Sequence, residues 1–363
     1  MSSSANIGKV CLLVALFLFG GLVNTGRSQQ IQLDHWPEEK AREMEKFIQT
    51  LKKSSDDPYV VFDADNTLWE DDLEEALLPY LENRDIITRD NMDPSLKLVP
   101  FKKDESLFAY YYRLSAIDHK VGYPWIAQMF SGYTLQELES WVDQLFAYEK
   151  GIPVRYWGED GNMVEDTVQP PDIYEAQREL VNTLQANGVE VYVVTAALEE
   201  LVRMVVSDPK YEFNVKPENV IGVTTLLKDR ETGEVTTARK QIEEGHFWDE
   251  EFKKSYHYSL ELTPYLWTPA TWYVGKMAGI KEYIHPVKRP MLVAGDSPND
   301  HWMLFYSNVE KGGKRIWVNR KESYMKATRK AMDERFEKET AVEGESDARD
   351  GWIIAKPEEL QNN

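Results

Sequence analysis

Cysteine is nearly missing from this chain: Cys11 is the one thiol among 363 residues. It lies within an apolar N-terminal run, so the rest of the chain offers no thiol nucleophile, no disulfide framework and no cysteine-ligated zinc. Basic side chains are also scarce, 42 Lys and Arg against 62 Asp and Glu, a net charge of −20. A phosphate backbone demands a basic face, so no nucleic-acid partner is expected. Anionic lipid is disfavoured for the same reason. His119, His246, His257, His285 and His301 show no paired metal-ligand spacing and read as structural or surface residues. No N-x-[ST] sequon is present.

What remains is ordinary for a soluble globular protein, with 42% apolar and 29% charged residues. At about 150 residues per domain, the length suits two or three domains, or one large domain carrying an insertion. An acidic chain naturally receives a cationic small molecule or a metal ion. Long apolar runs are lacking except at 10–23, VCLLVALFLFGGLV. That run is shorter than the ~20 residues of a spanning helix. Preceded by Lys9 and followed by NTGRSQQ, it has the pattern of a secretory signal peptide, expected as 1–28. An uncleaved signal anchor is the competing reading. The expected location is secreted or periplasmic, without stable membrane insertion once the signal is cleaved.

Beyond the signal the pattern alternates. Residues 34–53 have the period of an amphipathic helix. Short apolar runs at 59–63, 189–194, 290–295 and 315–319 suit strands buried on both faces of a parallel sheet. Between them lie helical stretches. One should be N-capped by Asp172 and end at Gly188; another should begin at Ser297 and Pro298. The fold class expected is α/β, a Rossmann-like parallel sheet with an inserted, mainly helical cap. The division expected is a core of 29–74 and 169–340, a cap of 75–168 and a tail of 341–363. A hairpin is predicted at 222–238, turning at 231–233.

The chemistry gathers at strand ends. The first run ends in DADNT with Asp63, Asp65 and Thr67, the second in TAA with Thr195, and the third in GDSPND with Asp296 and Asp300. Ligands of open parallel sheets bind outside the carboxyl ends of the strands. Each Asp taken alone reads better as a loop or capping residue; their joint placement in this order does not. Carboxylates crowded there need a cation among them, and oxygen-only ligands point to Mg²⁺.

DADNT, Thr195, Lys276 in VGK and GDSPND resemble, in order, the four motifs of the haloacid dehalogenase-like (HAD) phosphatase superfamily. Dehalogenases of that superfamily lack the second Asp, so Asp65 points to phosphoryl transfer. The signal segment, the Trp69–Glu70 pair after DxDNT, TAA and the stretch GYPWIAQMFSGYT at 122–134 are similar to the secreted phosphorylcholine phosphatases of the superfamily, relatives of phosphoserine phosphatases. The resemblance implies that Asp63 is the nucleophile and Asp65 the general acid and base. It implies Mg²⁺ held by Asp63, the Asp65 carbonyl and Asp296, with Asp300 or Asn299 orienting the metal shell or Lys276. Thr195 and Lys276 would bind phosphoryl oxygens. Thr67 is a further phosphate candidate, although bracing the loop suits it better.

The implied substrate is a small phosphomonoester, phosphocholine or phosphoethanolamine, with phosphoserine or a broad range of esters as the alternative. A non-catalytic binding protein on the same fold is the rival of another class. Aromatic faces bind quaternary ammonium at ~0.5–2 kcal/mol each. Head-group candidates are Trp69 and Glu70, with Glu74 and Glu75 nearby, and in the cap Tyr111 and Trp125. For most of these aromatics, packing within the cap is the competing role.

Overall fold

Four apolar residues in a row, Tyr59–Phe62, are all buried and form strand β1. A strand buried on both faces needs a neighbour on each side and helices above and below, which is what the computed structural model of this protein contains. The structure describes residues 31–361 apart from 52, 54–56, 159, 246–250 and 268–269. The expected signal segment 1–28, His246 and the side chain of His257 lie outside the described residues.

The chain enters through helix α1 (Glu38–Leu51), whose buried face carries Met44, Phe47 and Ile48. It starts later than the predicted 34–53, directly after Pro37. After β1 comes the two-residue strand β2 (Trp69–Glu70) and then α2 (Leu73–Glu82), N-capped by the Asp72 carboxylate. Helices α3 (Leu107–Ile117), α4 (His119–Gln128) and α5 (Leu135–Phe146) come next. The insertion then closes on an antiparallel hairpin of β3 (Ile152–Trp157) and β4 (Met163–Val168), so it is not helical throughout. Ile152 and Val154 are buried while Pro153 and Arg155 are exposed, the period-two pattern of a half-buried strand.

Strand β5 (Asp172–Ile173) pairs with β2. That pairing draws Asp172 into a ladder and corrects the expected cap. Helix α6 (Glu175–Ala186) begins after Tyr174, without a side-chain cap, and ends at Asn187 before Gly188 at φ +80°. Strand β6 (Glu190–Leu198), helix α7 (Glu199–Val206) and β7 (Val220–Val223) are the next elements. The predicted hairpin at 222–238 is divided. β7 joins the main sheet, and only β8 (Thr225–Lys228) and β9 (Val235–Thr236) form the hairpin. After α8 (Ala238–Glu243), β10 (Glu261–Leu266) pairs antiparallel with β8. The Leu135 amide donates to the Leu260 carbonyl at 3.0 Å, which fastens this second insertion to the start of α5.

Helix α9 (Val274–Gly279), β11 (Leu292–Gly295), α10 (His301–Leu304), β12 (Lys314–Val318), α11 (Glu322–Glu343) and β13 (Trp352–Ala355) complete the chain. The expected tail therefore supplies an edge strand, with Ile353 and Ala355 turned inward. The main sheet is six-stranded, parallel throughout, in the order β13-β12-β11-β1-β6-β7. Its core packs Val61, Val194, Ile221, Val293 and Trp317 against Ile280 and Met303. Each such side chain stabilises the fold by about 1.5–3 kcal/mol on burial. The order runs outward from β1 in both directions, so the topological switch lies at the carboxyl end of β1. Among the described residues no helix is long and apolar enough to cross a membrane.

Candidate active site

Asp63 is the first residue past β1, and its amide donates to the Ala294 carbonyl of β11 at 3.0 Å. Its Oδ1 accepts the Ala64 amide at 2.8 Å and meets Lys276 Nζ at 2.6 Å. Lys276, fully buried on α9, also meets Asp300 Oδ1 at 2.6 Å. The other oxygen of Asp300 accepts the amides of Asp296 and Ser297, both at 3.0 Å. Gly295 makes this turn possible, because a Cβ there would stand 2.7 Å from the Asp300 Cβ. Asp296 is bound by the Arg320 guanidinium, just beyond the end of β12. Thr195, within β6, accepts the Ala197 amide at 3.0 Å and keeps its own hydroxyl proton for another partner.

Asp65 accepts two bonds on one oxygen, from Trp69 Nε1 and the Leu73 amide, each 2.9 Å. Its second oxygen is the atom placed to carry a proton. Burial, and then the nearby Asp72 charge, pushes this carboxyl well above the usual carboxylate range. Burial and Asp300 push Asp63 up as well, opposed by Lys276. Burial raises Asp296 to about 6 against the pull of Arg320. Asp300 moves the other way: burial opposes its charge, but Lys276 and the amides of Ser297 and Asp296 hold it below the usual range.

Asp63, Asp65, Thr195, Lys276 and Asp296 line one small crevice of about 100 Å³, together with Arg320. A cavity of about 770 Å³ between the end of α2 and the β3–β4 hairpin is larger, but no main-sheet strand end reaches it. Carboxylate oxygens of Asp63, Asp296 and Asp300 lie within 4.8 Å of one another, all buried. Three carboxylates against Lys276 and Arg320 leave an excess negative charge, and hard oxygen donors suit a divalent ion such as Mg²⁺. Both oxygens of Asp300 are already engaged, so it fits the role of holding Lys276 and the loop better than that of a direct ligand. Asn299 Oδ1 is likewise occupied, by the Tyr273 amide.

Several candidates stand elsewhere. Thr67 is fully buried and is not among the crevice-lining residues, so it does not reach phosphate from there. Trp69 is fully buried, edge-on to Phe146 and Phe213, with its indole N–H spent on Asp65. Glu70 turns toward Gln361, because pairing of β2 with β5 sets its direction. Trp125 donates to the Leu96 carbonyl inside the helical layer. None of these faces the crevice. Tyr111 does, and its hydroxyl donates to Glu75 Oε1 at 2.9 Å. Burial and Asp72 raise Glu75 to about 7.

Sequence reasoning missed Asp72, Tyr324 and Arg320, which also line the crevice, and reached Tyr123 only as part of the GYPW stretch at 122–125. Arg320 had a usable signal, since it comes directly after a predicted strand and the strand-end rule covers it. The tyrosines had none, because helical period alone does not say which face covers a crevice.

No family profile matches the chain. The phosphorylcholine phosphatase of Pseudomonas aeruginosa is 48% identical over 354 residues, spanning 96% of this chain and 98% of that protein. A conserved functionally unknown protein from Anaerococcus prevotii superimposes with a TM-score of 0.55 at 17% identity, over 82% of this chain and 90% of its own, and so shares the fold. A protein of unknown function from Bordetella pertussis gives a TM-score of 0.46 at 13% identity, over 75% and 95% of the two chains. On an identity that high over almost its entire length, the chain belongs to the phosphorylcholine phosphatase family, phosphoric monoester hydrolases.

Proposed function

We propose that this phosphatase is secreted, requires Mg²⁺ and hydrolyses phosphorylcholine or phosphorylethanolamine through an aspartyl-phosphate. One observation carries the substrate reading: the crevice that holds Asp63 and Lys276 is also lined by Tyr111, whose partner is Glu75. A phosphoryl group suits the first pair, and a cationic amine suits an aromatic ring beside a carboxylate. Asp72, Glu74 and Glu75 on that side are acidic groups and a poor match for the carboxylate of phosphoserine. The 1–28 segment supports secretion. The relative's name supports the choice of ester.

In the first step an Asp63 oxygen forms a bond to phosphorus while the ester P–O bond breaks, and Asp65 gives its proton to the leaving alkoxide. In the second, Asp65 takes a proton from water, whose oxygen attacks phosphorus and releases phosphate from Asp63. A carboxylate nucleophile needs no base, being ionised once its cationic partner is in place. Lys276 has three N–H donors, two directed at Asp63 and Asp300, and the third is free for a phosphoryl oxygen. The Thr195 hydroxyl donates to another. Mg²⁺, held by Asp63, Asp296 and the Asp65 carbonyl, would supply neutralisation of the phosphate charge against the anionic nucleophile.

The test is phosphate release from phosphorylcholine, phosphorylethanolamine, phosphoserine and nitrophenyl phosphate, after chelation and after Mg²⁺ is restored. Preference for the two amines, present only with Mg²⁺, is expected. Preference for phosphoserine, or full activity in excess chelator, would overturn the reading.

A further inference from the structure

Eight described residues other than glycine have positive φ; seven are Asp, Asn or Glu, and the eighth is Tyr273. At φ +53° and ψ −122°, Tyr273 occupies the first central position of a type II′ turn, where glycine is the rule. The turn closes by a 2.9 Å bond from the Gly275 amide to the Trp272 carbonyl. Gly275 cannot be replaced there, because a Cβ would stand 1.6 Å from the Ala270 oxygen. A bulky residue stays in such a conformation only where its surroundings over-determine it.

Those surroundings are parts of the crevice. The Tyr273 amide donates to Asn299 Oδ1 at 2.5 Å. Its carbonyl accepts the Lys276 amide at 3.2 Å, at the start of α9. Its hydroxyl lies 3.1 Å from His119 Nδ1, and the Tyr123 hydroxyl lies 3.3 Å from the same nitrogen. His119 and Tyr123 belong to α4, and Tyr123 with Ile126 of that helix lines the crevice. An open groove of about 970 Å³, lined by His119 and Tyr273, runs beside the contact, so it can part without breaking a packed core.

We propose that Tyr273 is a positioning residue that couples the covering helix α4 to the catalytic lysine: its strained turn aims Lys276, and its hydroxyl latches α4 over the bound ester. The proposal rests on the phosphatase reading of this crevice. The hydroxyl contact with α4, which a glycine would lack, offsets the strain of keeping a tyrosine at this turn.

Four single substitutions and one double variant test it. Tyr273→Phe keeps the ring and the turn and loses the latch, so KM should rise roughly 2- to 5-fold with kcat little changed, the scale of one exposed hydrogen bond. His119→Ala should do the same, and the double variant should lose no more than either single one. Both should speed amide exchange in α4, a readout that needs no substrate. Tyr273→Gly should show a higher denaturation midpoint than Tyr273→Ala, the reverse of an unstrained loop site. Additive KM effects, unchanged α4 exchange or a higher midpoint for Ala would each overturn the proposal. If the wild-type chain released no phosphate from any ester, the functional reading would fail, while the exchange and midpoint results would still decide whether the latch and the strain exist.

Discussion

The floor and the roof of the crevice are built on different principles. The floor is a set of charges brought together by strand ends: Asp63, Lys276 and Asp300 are almost wholly buried, and each side chain is held by another. The roof is aromatic and helical: Tyr123 on α4 is half-buried, and the buried Tyr111 donates to a half-buried Glu75. A buried charge network tolerates no loose partner, since removing one leaves an uncompensated ion costing about 3–5 kcal/mol. A roof of rings tolerates exchange and can set specificity without endangering the fold. Changes in the floor should therefore abolish turnover for every ester, and changes in the roof should divide one ester from another.

The largest effect expected is at the floor. Asp63→Asn keeps the shape and removes the proposed nucleophile, so kcat should fall on the order of 10³-fold or more while the circular dichroism spectrum stays unchanged. Near-normal turnover by the purified variant would end the covalent mechanism. Trp69 tests where the floor stops. It is fully buried and its N–H holds Asp65, so Trp69→Ala should cost about 3–5 kcal/mol in urea unfolding and lower kcat/KM alike for phosphorylcholine and nitrophenyl phosphate. A loss confined to phosphorylcholine would return Trp69 to the head-group site.

The roof should behave oppositely. Glu75→Gln keeps the volume and removes the charge, so phosphorylcholine should lose roughly 5–30-fold in kcat/KM relative to nitrophenyl phosphate, about 1–2 kcal/mol. Equal losses on both would place Glu75 with the floor. The smallest effect concerns pH. Glu75 is raised to about 7 by burial first and by Asp72 second. Its folded value lies above its unfolded one, so its favourable contribution is complete at acid pH, below the unfolded value, and is lost as pH rises through about 7. Glu75→Gln should therefore raise the denaturation midpoint more at pH 8 than at pH 5. The wild-type KM for phosphorylcholine should rise as pH falls below 7, where the carboxylate is lost, and the variant should not show this rise.

Much of the floor was legible in advance. DADNT, TAA and GDSPND each come directly after an apolar run, and parallel strands deliver the residues at their carboxyl ends to one edge of a sheet. The α/β class came from the same runs, as did β1, β6, β11 and β12 to within a few residues. The roof was not legible in this way. Trp69 and Glu70 stand closest to the nucleophile loop in sequence, yet the two-residue pairing of β2 with β5 turns them away from the crevice. Asp172 lost its expected capping role to the same pairing.

The sequence by itself determined the order of chemistry along the chain: a carboxylate pair, a hydroxyl, a lysine and a second carboxylate pair, spaced by enough chain for crossover helices. Local physics suffices for this, because apolar runs become buried strands whatever surrounds them. Only the tertiary structure decided which side chains share the crevice. Arg320 reaches Asp296 because β12 lies beside β11. Tyr111 and Tyr123 line the crevice while Trp125, on the same helix as Tyr123, does not. Tyr273 holds a glycine conformation because Asn299 and His119, 26 and 154 residues away along the chain, are brought to its amide and its hydroxyl. Contacts between residues so far apart are set by how helices pack on a sheet, and no spacing within a single segment encodes them.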